Sequence, residues 1–171
     1  MSENCQAFIS VRDTKGLLEL AGHLTAAGYA LTCSVETASF LGQNGVEVAQ
    51  LVSEVDMPQF DLVVCDLFDF QNLMNQEGGL TEEEARAKMD LEHQAIILVA
   101  AANYHQTAII CEGGDYRRLK EHLKHLGETT PTFRKYLAAK AFRKVAEHNF
   151  AISAYLNLTG ANVGQQETLP L

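Results

Sequence analysis

The chain has 171 residues, 47% of them hydrophobic, enough for one domain with a sizeable core. Acidic residues outnumber basic ones by 22 to 13, and the formal charge of −9 argues against a general binder of nucleic acid or of acidic membranes. The N-terminus lacks a basic stretch followed by a long apolar run, and no later run is apolar enough to span a bilayer, so a soluble, cytoplasmic protein is expected. Cys5, Cys33, Cys65 and Cys111 are dispersed without CxxC spacing, the pattern of reduced core thiols.

In chain order, "CQAFISV" reads as a strand and "RDTKGLLELAGHLTAAG" as a helix ending near Gly28. "YALTCS", "VETASFLGQNG" and "VEVAQLV" repeat the rhythm as strand, helix and strand, which indicates parallel pairing. "DLVVCDLF" has the continuous apolar character of a strand covered on both faces, and is expected near the centre of the sheet. Two acids, Asp66 and Asp69, stand at its end, where such a strand meets a ligand.

Further on, Thr81 and Glu84 have capping-box spacing at the head of "TEEEARAKMD". "LEHQAIILVAAANYH" fits a buried helix or a strand, while "TAIICEGGDY" reads as strand, glycine turn and helix. From "PTFRKYLAAKAF" to "AISAYLN" runs one long amphipathic helix or a helix pair, with Phe133, Leu137, Ala141, Val145, Ile152 and Leu156 at packing positions. The expected fold is α/β, three-layer, with a mostly parallel central sheet flanked by helices. Residues 1–158 form one domain and 159–171 a loosely ordered tail.

Four stretches, "AFISVRDTKGLLELAGHLTAAGYAL", "DLVVCDLFDF", "AAANYHQTAIICEGGDY" and "LAAKAFRKVAEHNFAISAYL", occur in one order. Together they resemble the IMP cyclohydrolase domain of the bifunctional AICAR transformylase/IMP cyclohydrolase, over most of residues 7–158. The resemblance implies a methylglyoxal-synthase-like fold, with a nucleotide phosphate held by loops at strand ends. It also implies a reaction that closes the ring of formyl-AICAR to give IMP and water, without redox cofactor or metal, and a homodimer. No transformylase domain follows, so a separate transformylase is the protein partner the resemblance points to.

Carried over by position, "SVRDTKG" resembles the family's SVSDKTG and offers Ser10, Thr14, Lys15 and Gly16 to a phosphate. The plainer reading has Asp13 capping a helix and Lys15 solvated. "CSVETAS" stands where the family has STGGTA, leaving Ser34 and Thr37 as donors but putting Val35 and Glu36 in place of two glycines. Here Ser34 as an ordinary N-cap is the plainer reading. Between "SEVDMPQF" and "DLVV" the family carries several dozen residues, including a KTLHP-type motif with a catalytic lysine; that segment is absent. NLYPF becomes "DLFDF", so the catalytic tyrosine aligns with Phe68, which cannot relay a proton. DIGGPT becomes "DLEHQA", keeping Asp90 but introducing Glu92 and His93, and AAAKNH becomes "AAANYH", keeping Asn103 but placing Ala102 where the family has lysine. Asp90 and Asn103 are thus the catalytic candidates.

Three further groupings have two readings each. Asp90, Glu92, His93, Tyr104 and His105 form a new acid/base cluster or serve as caps and solvated ends. His122 and His125 have the spacing of two metal ligands, but without a third a solvated face is expected and no metal site. Arg134, Lys135, Lys140, Arg143 and Lys144 form an anion-attracting stripe or an ordinary wet face, the latter being expected. Two functions follow: a shortened IMP cyclohydrolase-like enzyme of purine nucleotide biosynthesis acting on an AICAR, formyl-AICAR or IMP-like ligand, or a non-catalytic nucleotide-binding or interaction subunit derived from it. Asp66 and Asp69 point to a changed ligand, a protein contact or a vestigial pocket.

Overall fold

The computed structural model describes residues 5–50, 60–76 and 79–160. Five strands, β1 (Gln6–Ser10), β2 (Ala30–Cys33), β3 (Ala49–Gln50), β4 (Leu62–Cys65) and β5 (Ala108–Ile110), pair in the order β3-β2-β1-β4-β5. Every pairing is parallel, with Ile9 opposite both Cys33 and Val64 and Val63 opposite Ile109. The expected strand "VEVAQLV" is represented by Ala49–Gln50; Val46, Glu47 and Val48 before it are not in the strand, and Leu51 and Val52 lie outside the described residues. All four residues of β4 are buried, as the unbroken apolar run requires of a strand between two neighbours and two helical layers.

The chain steps one way from β1 to β2 to β3 through α1 (Leu17–Ala26) and α2 (Val35–Gln43). It steps the other way from β4 to β5 through α3 (Phe70–Met74), α4 (Glu82–Lys88) and α5 (Leu91–Ala102). Right-handed crossovers in opposite directions place these two sets of helices on opposite faces, which gives three layers. α6 (Tyr116–Leu126) packs on α1, and α7 (Pro131–Gly160) packs on α5 and β5.

Several local expectations are resolved by packing. "LEHQAIILVAAANYH" is helical, because its length lets α5 bury Ile97, Ala100 and Ala101 on one face. α1 starts only after Gly16, whose φ of 75° a glycine takes without strain, so Asp13 does not cap it. The Thr81–Glu84 capping box is formed in both directions. α7 is one helix of 30 residues. It buries Phe133, Leu137, Ala141, Val145 and Ile152, whereas Leu156 is 51% exposed because Tyr155 takes the inward position in that turn. Phe70, Ala85, Ala151, Ile152 and Tyr155 form a small second core that anchors the segment after β4 to α7. The expected tail lies, from residue 161, outside the described residues. No described helix is long and apolar enough to cross a membrane.

Candidate functional site

In an open α/β sheet, ligands bind outside the carboxyl ends of the strands at the point where strand order reverses. Here that point lies between β1 and β4. A crevice of about 340 Å³ opens there, lined by Arg12, Asp13 and Lys15 after β1, Asp66 to Asp69 after β4, Cys111 to Gly113 after β5, and Lys144 of α7. It shares Asp13, Lys15 and Gly113 with a second hollow of about 480 Å³ that reaches Gly16, Tyr116, Arg117 and Lys120. A further cavity of about 380 Å³ lies between α1 and α6, away from the strand ends, and takes in none of the sequence candidates.

The wall between β1 and β4 is a connected polar network. Arg12 donates through Nη2 and Nε to the two oxygens of Asp90, at 2.7 and 3.3 Å. Arg12 is held above its ordinary pKa first by this hydrogen bond, with burial working against it. Asp90 stands at the head of α5 with φ 54°. That left-handed conformation is tolerated best by glycine, asparagine and aspartate. One turn on, His93 is buried, with Nδ1 at 2.7 Å from the carbonyl oxygen of Asp66 and Nε2 at 2.8 Å from Ser10 Oγ. A carbonyl only accepts, so Nδ1 carries the proton that donates to it, and the neutral ring then receives the Ser10 hydroxyl at Nε2.

The two acids that follow β4 have separate tasks. Asp66 accepts hydrogen bonds from the main-chain N–H groups of Arg12, at 2.6 Å, and Asp13, at 3.0 Å. Burial raises its pKa, and these two hydrogen bonds oppose the rise. Asp69 caps α3 by accepting from the N–H of Asn72 at 3.0 Å. Between them, Phe68 is flanked by two cations, the Arg12 guanidinium 4.9 Å and the Lys88 ammonium 3.8 Å from its ring centre. Its carbonyl lies 3.2 Å from His148 Nδ1.

The opposite wall is fixed from α7. Lys140 pairs with Glu112 and, at 2.6 Å, with Asp115, while Lys144 stands 3.8 Å from Glu112. Burial lowers the Lys140 pKa, but its hydrogen bonds to Asp115 and Glu112 outweigh this and leave it above the ordinary value. The expectation of a plain wet face therefore fails at Lys140, which ties the end of β5 to α7. It fails at Arg134 too, which donates to the carbonyls of Tyr104 and His105 at 3.2 and 3.0 Å.

Of the sequence candidates, the crevice and its neighbouring hollow bring Lys15 and Gly16 to the surface. Ser10 lies buried behind them on His93, and the Thr14 carbonyl accepts from the N–H of Leu17 at 3.0 Å. Thr37 Oγ1 accepts from the N–H of Val11 at 3.2 Å and from the Ser34 hydroxyl at 3.0 Å. These two side chains brace the first loop from behind; Ser34 holds the N-cap position of α2 without a side-chain cap bond. Asp90 belongs to the crevice wall, but Asn103 is at the other end of the 12-residue α5. At 1.5 Å per residue the two are roughly 20 Å apart. Asn103 Nδ2 donates to Thr107 Oγ1 at 3.0 Å beside the start of β5. Tyr104 and His105 share that far end, so the five-residue acid/base grouping is not assembled.

His122 is half-buried and stacks on Phe133, ring centres 4.1 Å apart, while His125 is exposed. Among the described residues no three His, Cys, Asp or Glu side chains are gathered as metal ligands. Arg12 and His148 were not singled out by sequence as site residues, and Lys140 only as one of a basic stripe expected to be a wet face. The one signal for Arg12 was its place inside "SVRDTKG", where the resembling motif has serine.

A family model described as AICARFT/IMPCHase bienzyme matches residues 100–170. The bifunctional purine biosynthesis protein PurH of Natranaerobius thermophilus is 27% identical over 198 aligned positions, which take in 96% of this chain and 39% of that protein. The alignment has more positions than the chain has residues, so that relative carries segments within the matched span which this chain lacks. The protein of the same name from Listeria welshimeri serovar 6b is 33% identical over 123 positions, 71% of this chain and 24% of its own length. The chain thus spans well under half the length of these relatives. A solved structure, that of ForH, superposes with a TM-score of 0.73 at 19% identity, covering 88% of this chain and 98% of that one. It shares the fold.

Proposed function

We propose, for a chain that resembles the IMP cyclohydrolase domain of the bifunctional AICAR transformylase/IMP cyclohydrolase, that the crevice at the β1–β4 switch point binds a purine-precursor nucleotide and serves closure of formyl-AICAR to IMP. The observation that carries the reading is the coincidence of two facts. The alignment to purine biosynthesis proteins runs through almost the whole chain, and the crevice sits where such a sheet takes a ligand, with Lys15 and Lys144 on its rim.

In ring closure the carboxamide nitrogen of formyl-AICAR bonds to the formyl carbon. The formyl oxygen leaves as water, taking one proton from each of the two nitrogens. Both reacting groups are on one molecule, so holding them in contact supplies a large part of the rate. This chain's part is to orient: Arg12 is fixed by Asp90 and Phe68, the adjacent backbone by His93, and the facing wall by Lys140. Phe68 has no proton to give.

That last observation favours a second reading, in which the crevice binds the nucleotide without turning it over, as a homodimer or beside a separate transformylase. Calorimetric titration with AICAR, formyl-AICAR and IMP, with ring closure followed by absorbance in the same samples, separates the two. Binding with turnover above the uncatalysed rate is the expected result. Binding without turnover selects the second reading, and absence of both overturns the purine-precursor assignment.

A further inference from the structure

The loop after β1 offers its main-chain N–H groups at the carboxyl end of the sheet, where α/β folds commonly receive a ligand phosphate. In this chain four of those groups, on Val11, Arg12, Asp13 and Lys15, are already occupied. The N–H groups of Arg12 and Asp13 converge on one carboxylate, that of Asp66, at 2.6 and 3.0 Å. On either side, the N–H of Val11 is taken by Thr37 Oγ1 at 3.2 Å and that of Lys15 by Asp13 Oδ1 at 2.9 Å. Successive amides aimed at one anion form a nest, and the anion in this one is a side chain of the protein.

The carboxylate is well anchored. Its own carbonyl receives the His93 Nδ1 proton at 2.7 Å, and the Arg12 side chain leads away to Asp90. A dianionic phosphate entering the nest would displace Asp66 from both amides and then lie against its charge, with no cation freed to offset it.

We propose that Asp66 is the built-in anion of the β1–α1 nest and a specificity determinant of the crevice, excluding a ligand's phosphate from the loop amides. A phosphate-bearing ligand keeps its phosphate on the Lys15 side of the crevice, and the nest holds the loop in shape without any ligand. The inference rests on the proposed function only in taking this crevice as the ligand site.

Inorganic phosphate is the probe, because it asks nothing about the purine ring. Asp66→Asn, Asp66→Ser and Asp66→Ala are compared with the parent chain by calorimetry, after circular dichroism and thermal melting have identified the variants that fold. Folded Ser and Ala variants are expected to bind phosphate at least tenfold more tightly than the parent, with sulfate competing, and the Asn variant to show a smaller gain. A folded Ser or Ala variant with no gain overturns the proposal. Independently of any variant, the amide resonances of Arg12 and Asp13 in the parent chain are followed while phosphate is added to saturation or to 100 mM. Resonances that stay in place support the proposal, and resonances that move together along a saturable curve overturn it. Failure of purine precursors to bind would overturn the proposed function and leave these outcomes readable.

Discussion

Arg12 and Asp90 are 78 residues apart in sequence, yet the guanidinium of one grips both carboxylate oxygens of the other, at 2.7 and 3.3 Å. The pair joins the end of β1 to the head of α5 across the crevice wall. The Asp90 side chain is only 2% exposed, and the next nitrogen beside it is His93 Nδ1 at 3.7 Å. Arg12→Met keeps the aliphatic stem and strands a buried carboxylate. Such losses cost about 3–5 kcal/mol for fully buried pairs. Because Arg12 is itself 31% exposed, about 2–3 kcal/mol is expected in urea unfolding at neutral pH. Adding Asp90→Asn should recover part of the loss, because the stranded charge is then gone. A double variant no more stable than Arg12→Met would show that the pair is not the source.

The contrast between what the sequence announced and what it concealed follows from distance along the chain. The Thr81–Glu84 capping box is a contact between residues three apart, so its pattern is its geometry. The α/β rhythm was legible for the same reason, since each strand and helix carries its own apolar period. α5 stayed ambiguous because its exposed face is apolar too, with Leu91 and Val99 on it, so polarity shows no period to read. The site is another matter: Ser10–His93, Arg12–Asp90 and Arg12–Asp66 each join segments separated by more than fifty residues. No local spacing encodes them. The Asp69 cap of the helix after it is just as local but was not read from the sequence, whereas Asp66 shows its purpose only once β1 and β4 are neighbours.

Lys140 provides a second test of the crevice's frame. Its ammonium bridges Glu112 and Asp115, and the Asp115 side chain is 5% exposed. Lys140→Met should lower stability by about 2–3 kcal/mol through the uncompensated Asp115 carboxylate, and Lys140→Arg should restore a part. The pH dependence has a defined sign. A lysine whose folded pKa is raised contributes stability that is complete below its unfolded pKa and is lost as pH rises through the folded one. The parent and Lys140→Met should therefore differ by a constant amount from neutral pH to about 10, then converge above it. Convergence already between pH 7 and 9 would contradict the assignment.

Thiol chemistry tests the core. Burial pushes the Cys33 thiol up to about 12 and Cys111 up to about 11, and holds Cys65 well above its ordinary value. All three are buried, whereas Cys5 is half-buried. Reactivity follows thiolate population and access. A colorimetric thiol reagent at pH 7.5 should label no more than one cysteine of the native chain within minutes, and all four after denaturation. Rapid labelling of two or more in the native chain would mean that the strand ends open far more often than their packing implies.

Asp66 links the nest to pH. Burial raises its folded pKa and the amides of Arg12 and Asp13 only partly offset that. The native state therefore holds the proton more tightly than the unfolded chain does. The sign is the reverse of a salt-bridged aspartate: the stabilising contribution is complete below the unfolded pKa and is lost as pH rises through the folded one. Asp66→Asn cannot titrate, so the stability of the parent chain minus that of this variant should fall as pH is raised through the ordinary carboxylate range and above it, then level off. Urea midpoints across that range measure the difference directly, with most other titrations cancelling between the two chains. A difference that rises with pH would mean that the two amides outweigh burial, making the nest a tighter anion site than its carboxylate's surroundings indicate. The proposed exclusion of phosphate would then rest on even stronger occupancy by Asp66.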